Sequence, residues 1–261
     1  MSDAESGRII AIASGKGGVG KTWLAISLAQ AMAEAGRRVL LVDADLGLAN
    51  IDVQLGLPPG PDLGAVLAGR LELAAAVRRH GAGFDLLPGQ SGCTSLTGLG
   101  EAALDRLGAM LRQAAARWDV VLLDCGAGIE PAVRGLAALA DTLLVVATAE
   151  PTSLTDAYAV LKLHRRDRPG GDQRVVVNLA EDAAAGERVW RSLETACARF
   201  LGAGVPLAGV VRRDRRVPEA IRHQVPLLTR HPVAAAAEDV RHLAALMSSA
   251  SRPAGNLHPA I

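Results

Sequence analysis

Aromatic residues are scarce in this chain. Among 261 residues there are one tyrosine, two phenylalanines and three tryptophans, although half the residues are apolar. A sizeable core is available, but alanine, valine and leucine must fill it. Cysteine is equally thin. Cys93, Cys125 and Cys197 are scattered without CxxC spacing, which excludes a zinc or disulfide framework and fits a reducing cytosol. No apolar run approaches the ~20 residues needed to span a bilayer. Met1 to Gly7 is short and acidic and lacks the pattern of a signal peptide. The net charge of +1 gives no global field to gather nucleic acid or membrane. No internal repeat is visible.

Lysine is the most informative shortage. The 28 basic residues include only three lysines, Lys16, Lys21 and Lys162. Two of them lie in Ser14-Gly15-Lys16-Gly17-Gly18-Val19-Gly20-Lys21-Thr22. An apolar, β-branched stretch, Arg8 to Ala13, precedes this loop and reads as a buried strand. Trp23 to Ala35 follows, with Leu24, Leu28 and Met32 at helical spacing. Strand, glycine-rich loop and helix are the context of a phosphate-binding loop, and Gly15, Gly20, Lys21 and Thr22 stand at its spacing. Glycines let backbone N–H groups of Gly17, Gly18 and Val19 approach phosphate oxygens, and the helix N-terminus adds partial positive charge. Lys21 is expected to reach the β and γ phosphates and Thr22 to hold Mg²⁺. A compact ammonium suits such a cradle better than a planar guanidinium, so a chain that otherwise prefers arginine keeps lysine here.

Strand and helix patterns alternate along the rest of the chain. They predict an α/β fold: a single doubly wound, mostly parallel sheet with helices on both faces. Predicted strands cover Arg38 to Val42, Phe84 to Pro88, Asp119 to Asp124, Thr142 to Thr148, Arg174 to Val177 and Leu207 to Val211. Predicted helices include two short ones within Leu63 to Val77, then Ala102 to Arg117, one after Glu150-Pro151, Ala183 to Leu201, and Ala234 to Met247. Gln90 to Gly100 reads as a surface loop. The expected organisation is a tail at 1–7, one ATPase domain at 8–247 and a disordered tail at 248–261.

Ligands bind at the carboxyl ends of strands in such sheets. Asp43 and Asp45 end the second strand, and two carboxylates beside a phosphate loop suit Mg²⁺ and water positioning. Asp124 ends another strand before Cys125-Gly126-Ala127-Gly128, a loop able to move with a γ-phosphate; Cys125 reads as a small buried filler. Asn178, at a further strand end, carries an amide that both donates and accepts and so suits an adenine edge.

The Lys-Gly-Gly-Val-Gly-Lys-Thr sequence resembles the deviant Walker A loop of the MinD/ParA class of P-loop ATPases. That resemblance implies that Lys16 reaches the nucleotide of a second subunit, so that the working form is an ATP-sandwiched homodimer. Two longer stretches, Asp-Ala-Asp-Leu-Gly-Leu-Ala-Asn-Ile-Asp at 43–52 and Glu-Pro-Thr-Ser-Leu-Thr-Asp-Ala-Tyr-Ala at 150–159, narrow it. They are similar to the FlhG/FleN family of MinD-like ATPases that control flagellar number and placement in bacteria. The resemblance implies slow ATP hydrolysis as a switch. Asp45 positions or activates water, Asp43 and Asp124 support the metal with Thr22, and Asp156 holds Lys16 when the γ-phosphate is absent. Asn50, Asp52 and Gly126 join Lys16 and Asp156 in the switch and dimer regions. Glu150, Asn178 and Arg212 are expected at the nucleotide. The implied partners are a second copy, an FlhF-like GTPase and a flagellar transcription activator. The implied location is cytoplasmic, peripheral at most to the inner membrane or cell pole.

The chain also departs from the family it resembles. Trp23 follows the P-loop threonine, where a small or polar residue is usual. Arg212 stands where a proline often lies in the adenine loop. The short N-terminus lacks the segment by which some relatives stimulate FlhF. The last helix has Glu238 and Asp239 near its start and almost no basic rim, so weak or absent membrane binding is expected. Two other readings stay open: a ParA-type partition ATPase binding DNA through Arg212–Arg216 and 164–168, and an ATP-binding scaffold with little turnover. An iron–sulfur carrier is excluded by the missing cysteine pair.

Overall fold

The computed structural model describes residues 7–45, 47–89 and 101–249. The predicted loop at 90–100 and the tails, apart from Gly7, Ser248 and Ser249, lie outside the described residues. The strands are β1 (Arg8–Ser14), β2 (Val39–Ala44), β3 (Arg78–Arg79), β4 (Asp85–Leu87), β5 (Val120–Ala127), β6 (Thr142–Ala147), β7 (Asp172–Ala180) and β8 (Leu207–Arg212). They form one sheet in the order β3-β4-β2-β5-β1-β6-β7-β8. The sheet is parallel except where β3 pairs antiparallel with β4. The expected mostly parallel sheet is present, with the two-residue β3 as an unforeseen edge.

The helices are α1 (Lys21–Glu34), α2 (Ile51–Gln54), α3 (Leu63–Leu67), α4 (Leu73–Ala76), α5 (Glu101–Ala115) and α6 (Pro131–Ala138), then α7 (Pro151–Asp167), α8 (Ala183–Leu201), α9 (Arg216–Arg222), α10 (Leu227–Arg230) and α11 (Ala235–Ser249). They cover both faces because each central strand is apolar on both. Residues of one parity (Ile9, Ala11, Leu40, Val42, Val121, Leu123) pack with α5, α6, α7 and α8. Their neighbours in sequence (Ile10, Ile12, Val39, Leu41, Val120, Leu122) pack with α1 and α11. Trp23 is buried in this second layer as a core filler. Val240, Leu243 and Met247 of α11 are buried there too, as the sequence pattern anticipated.

Strand parity also aims the polar strand ends. Ser14 continues the Ile10–Ile12 face, Asp43 the Val39–Leu41 face, and Asp124 the Val120–Leu122 face. Asn178 continues the face of Val176. Successive side chains alternate across a strand, so all four belong to the face covered by α1, whose first residues are Lys21 and Thr22.

His164, on the inner side of α7, is buried, and burial holds its ring pKa down to about 4. The folded value lies below the ordinary 6.5, so the neutral ring's contribution is complete above pH 6.5 and is lost as pH falls through 4. Between those limits the loss amounts to roughly 3 kcal/mol. Denaturant unfolding of wild type and His164→Gln at pH 7.5 and 4.5 should show the variant losing less stability on acidification. Equal losses would contradict the assignment.

Candidate active site

The phosphate loop joins β1 to α1. Gly18 and Gly20 have φ of 78° and 87°, which side chains rarely adopt, and a Cβ on Gly17 or Gly18 would meet nothing within 4 Å. Helix α1 has no side-chain cap and no acidic residue in its first turn. Its leading N–H groups and partial positive charge are therefore left for an anion, as the sequence predicts. Two contacts hold the loop in shape. Ser14 Oγ donates to the Lys16 carbonyl at 2.7 Å, and Asn178 Nδ2 donates to the Val19 carbonyl at 2.8 Å. Asn178 is aimed there by a bulge in β7, where the register with β8 shifts between Val177 and Ala180 and Leu179 takes a φ of 57°. The sequence carries no signal for that bulge. With Nδ2 engaged, the buried Oδ1 of Asn178 has no partner among the described residues.

Asp43 and Asp124 are register partners on β2 and β5 and both are buried. Burial pushes both carboxyls upward from the carboxylate range. For Asp124 the negative charge of Asp43 adds to the rise, while the Thr22 hydroxyl and the Lys21 ammonium oppose it. Asp124 Oδ1 has no hydrogen-bond partner among the described residues. A buried carboxylate oxygen without a donor, beside a threonine hydroxyl, fits Mg²⁺, which takes one or two protein oxygens and completes its shell with phosphates and water. No group of three or more His, Cys, Asp or Glu among the described residues is arranged to hold a metal by itself.

Asp43, expected to support the metal site, is engaged by backbone donors. Its Oδ2 accepts from the Asn50 and Ile51 N–H groups, each at 3.0 Å, and its Oδ1 from the Asp45 N–H at 3.3 Å. Its oxygens are spent on folding the loop that carries Asp45. Asp45 accepts from the Gly47 and Leu48 N–H groups, and a Cβ on Gly126 would lie 3.3 Å from its Oδ1. The loop after β2 thus lies against the end of β5, Asp45 beside Gly126. Asp52 and Asn50 sit on or beside α2: Asp52 accepts from the Val53 N–H, and Asn50 Oδ1 from the Gln54 amide.

Two further expectations are corrected. Lys16 is not held by Asp156. Its ammonium pairs with Glu150 and donates to Thr152 Oγ1 at 3.1 Å, at the first turn of α7. Asp156 lies one turn further on, under Gly15, where a Cβ on that glycine would come within 2.6 Å of Asp156 Cβ. The Lys16 contact holds the Glu150 carboxyl below its usual range. Arg212 is not available to a nucleotide. Its guanidinium grips Asp239 of α11 at 2.8 to 3.1 Å, and its own N–H donates to the same carboxylate at 2.9 Å. Cys125 is fully buried, and burial pushes its thiol up to about 12, as befits a filler.

Residues 10–227 match the family of CobQ/CobB/MinD/ParA nucleotide-binding domains. The chain is 39% identical over 217 residues to the antiactivator FleN of Pseudomonas aeruginosa, covering 83% of this chain and 78% of FleN. It is 34% identical over 162 residues to the flagellum site-determining protein YlxH of Helicobacter pylori, covering 62% of this chain and 55% of YlxH. Among solved structures, the septum site-determining protein MinD of Pyrococcus horikoshii, complexed with Mg-ADP, superposes with a TM-score of 0.76 at 25% identity. That match covers 93% of this chain and 96% of MinD. Phosphate loop, paired strand-end carboxylates and sheet order agree with that assignment: the chain belongs to the CobQ/CobB/MinD/ParA family of nucleotide-binding domains.

Proposed function

We propose that this protein is an ATP-dependent dimerising switch ATPase of the FlhG/FleN type, which regulates flagellar number or placement. The observation that carries the reading is Lys16. It stands in the phosphate loop yet is held at an exposed position by Glu150 and Thr152, which supports a reach to a second copy's nucleotide. A phosphate-bound lysine acting in cis has no reason to be held there. Mg²⁺, when bound with ATP, would supply neutralising charge to the phosphates. Lys21 and the α1 N-terminus hold the phosphates, Thr22 and Asp124 offer the metal's protein oxygens, and Asp45 orients the attacking water. The unpartnered Oδ1 of Asn178 supports the reading in which it accepts from the adenine 6-amino group. Lys16 from the partner completes the charge complement, which makes hydrolysis depend on dimerisation.

The flagellar assignment is supported by the relatedness to FleN and YlxH. Its implied partners are an FlhF-like GTPase and a flagellar transcription activator. No helix among the described residues is long and apolar enough to cross a membrane. The apolar face of α11 is spent on the core, which supports weak or absent membrane binding of that helix. The partition-ATPase reading loses some support because three arginines of its basic runs are engaged within the fold, while Arg166, Arg213, Arg215 and Arg216 stay exposed. Arg165 donates to the carbonyls of Ala203 and Gly204, Arg168 to that of Ala138, and Arg212 to Asp239.

The direct test is Mg²⁺-dependent ATP turnover as a function of protein concentration. The specific rate should rise with concentration in wild type. Lys16→Ala should bind ATP with wild-type affinity but lose at least about 100-fold in turnover. Turnover by Lys16→Ala at the wild-type rate would remove the argument from Lys16. Glu150 should act as a brake on the monomer. Sedimentation at graded Mg-ATP should show Glu150→Gln dimerising at lower ATP than wild type, whereas a higher requirement would mean that Glu150 serves the dimer instead.

A further inference from the structure

Among the described residues, four helices end in the same way. After α1, α2, α3 and α9 the chain closes a paired turn, in which one N–H reaches back five residues and the N–H before it reaches back three. At the first three ends the residue in the left-handed conformation is glycine. Gly36, Gly56 and Gly69 have φ of 83°, 63° and 68°, with Arg37, Leu57 and Arg70 supplying the longer bonds. At α9 it is Gln224, with a φ of 54°, between a bond from its own N–H to Ile221 and one from Val225 to Ala220. Glycine is favoured at this position because it has no Cβ to strain. A glutamine there keeps a side chain at a conformational cost, so what that side chain does is informative.

It reaches across 171 residues of sequence. Gln224 Nε2 donates to the Val53 carbonyl in α2 at 2.8 Å. The rest of the side chain lies against Gly56, where a Cβ would come within 2.9 Å of Gln224 Oε1. Two helix ends, that of α2 and that of α9, therefore meet, one a glycine and the other a glutamine. The post from which Gln224 reaches is itself fixed. Arg230 of α10 bonds Glu219 of α9 at 3.0 Å, and Gln30 of α1 donates to Thr229 of α10 at 2.9 Å. At its other end, α2 offers the N–H groups of Asn50 and Ile51 to Asp43, and Asp43 shapes the turn that holds Asp45.

We infer that Gln224 is a positioning residue for ATP hydrolysis: it pins α2 from behind, and α2 in turn fixes the Asp43–Asp45 loop over the phosphate site. The inference rests on the reading of Asp45 as the group that orients water. The chain of contacts runs from the Gln224 amide through the short helix to the Asp43 carboxylate, and each link is a hydrogen bond. The outer link lies at the surface, so losing it leaves no buried polar group unsatisfied and the fold stands. A displacement of the water-orienting carboxylate by a fraction of an ångström lowers turnover without changing how the phosphates are gripped.

Two substitutions separate this role from a structural one. Gln224→Gly removes the amide and relaxes the backbone, whereas Gln224→Ala removes the amide and keeps the strain. Their melting temperatures should differ, with the glycine variant at or above wild type. Their single-turnover hydrolysis rates at saturating Mg-ATP should both fall, by about tenfold, with ATP affinity unchanged. Amide hydrogen exchange at residues 50–54 should quicken in both variants. Wild-type hydrolysis and exchange in Gln224→Gly would overturn the inference while leaving the ATPase reading intact. A wild-type protein that binds but never hydrolyses ATP would overturn the ATPase reading and the inference with it.

Discussion

Asp43 and Asp124 stand side by side on adjacent strands, both buried, with one lysine ammonium close to Asp124. Placing two carboxylates together out of water is expensive unless cations and donors answer them. The surrounding structure divides the task. Backbone N–H groups of the following loop answer Asp43, so its charge becomes the organiser of that loop. Asp124 keeps an oxygen without a donor beside Thr22 and Lys21, and it is left for a cation that arrives with the phosphates. The arrangement depends on strand parity and register. A slip of one residue in either strand would send a carboxylate to the opposite face, away from α1.

From that pair the site extends in two directions. Inward, Asn178 and Ser14 hold the phosphate loop in an open cradle, and the uncapped start of α1 faces it. Outward, the loop after β2 lies against the end of β5, with Asp45 beside Gly126. Lys16 is held apart from all of this, on Glu150 and Thr152. The proposed switch is an exchange of partners for that one ammonium. In the monomer it neutralises Glu150; in the dimer it neutralises phosphate on the other subunit. The exchange is favourable only when a γ-phosphate is present to replace the lost contact, which couples nucleotide state to assembly.

Much of this was legible in the sequence because the signals were local. A loop of nine residues, Ser14 to Thr22, specifies its own turn, helix start and ligand class. The strand-end aspartates follow apolar runs whose ends are plain. What escaped depends on contacts between distant segments. Arg212 was placed correctly at the end of a strand, but its partner Asp239 lies 27 residues on, in another helix. Lys16 was expected on Asp156, yet Glu150 and Thr152, a turn earlier on the same segment, stand closer. The short helices α2, α9 and α10 have four to seven residues, too few for helical periodicity to register. Helix α6, of eight residues, also passed unread behind the glycines of the β5 loop.

The central claim is that ATP, and not ADP, brings two copies together through Lys16. The most direct measurement is the solution mass of Asp45→Ala by light scattering, with Mg-ATP and then with Mg-ADP. On the proposed role of Asp45, that substitution slows hydrolysis and so preserves the ATP state. The account predicts twice the monomer mass of 26.9 kDa with ATP and the monomer mass with ADP. A monomer in both, with ATP demonstrably bound, would contradict it.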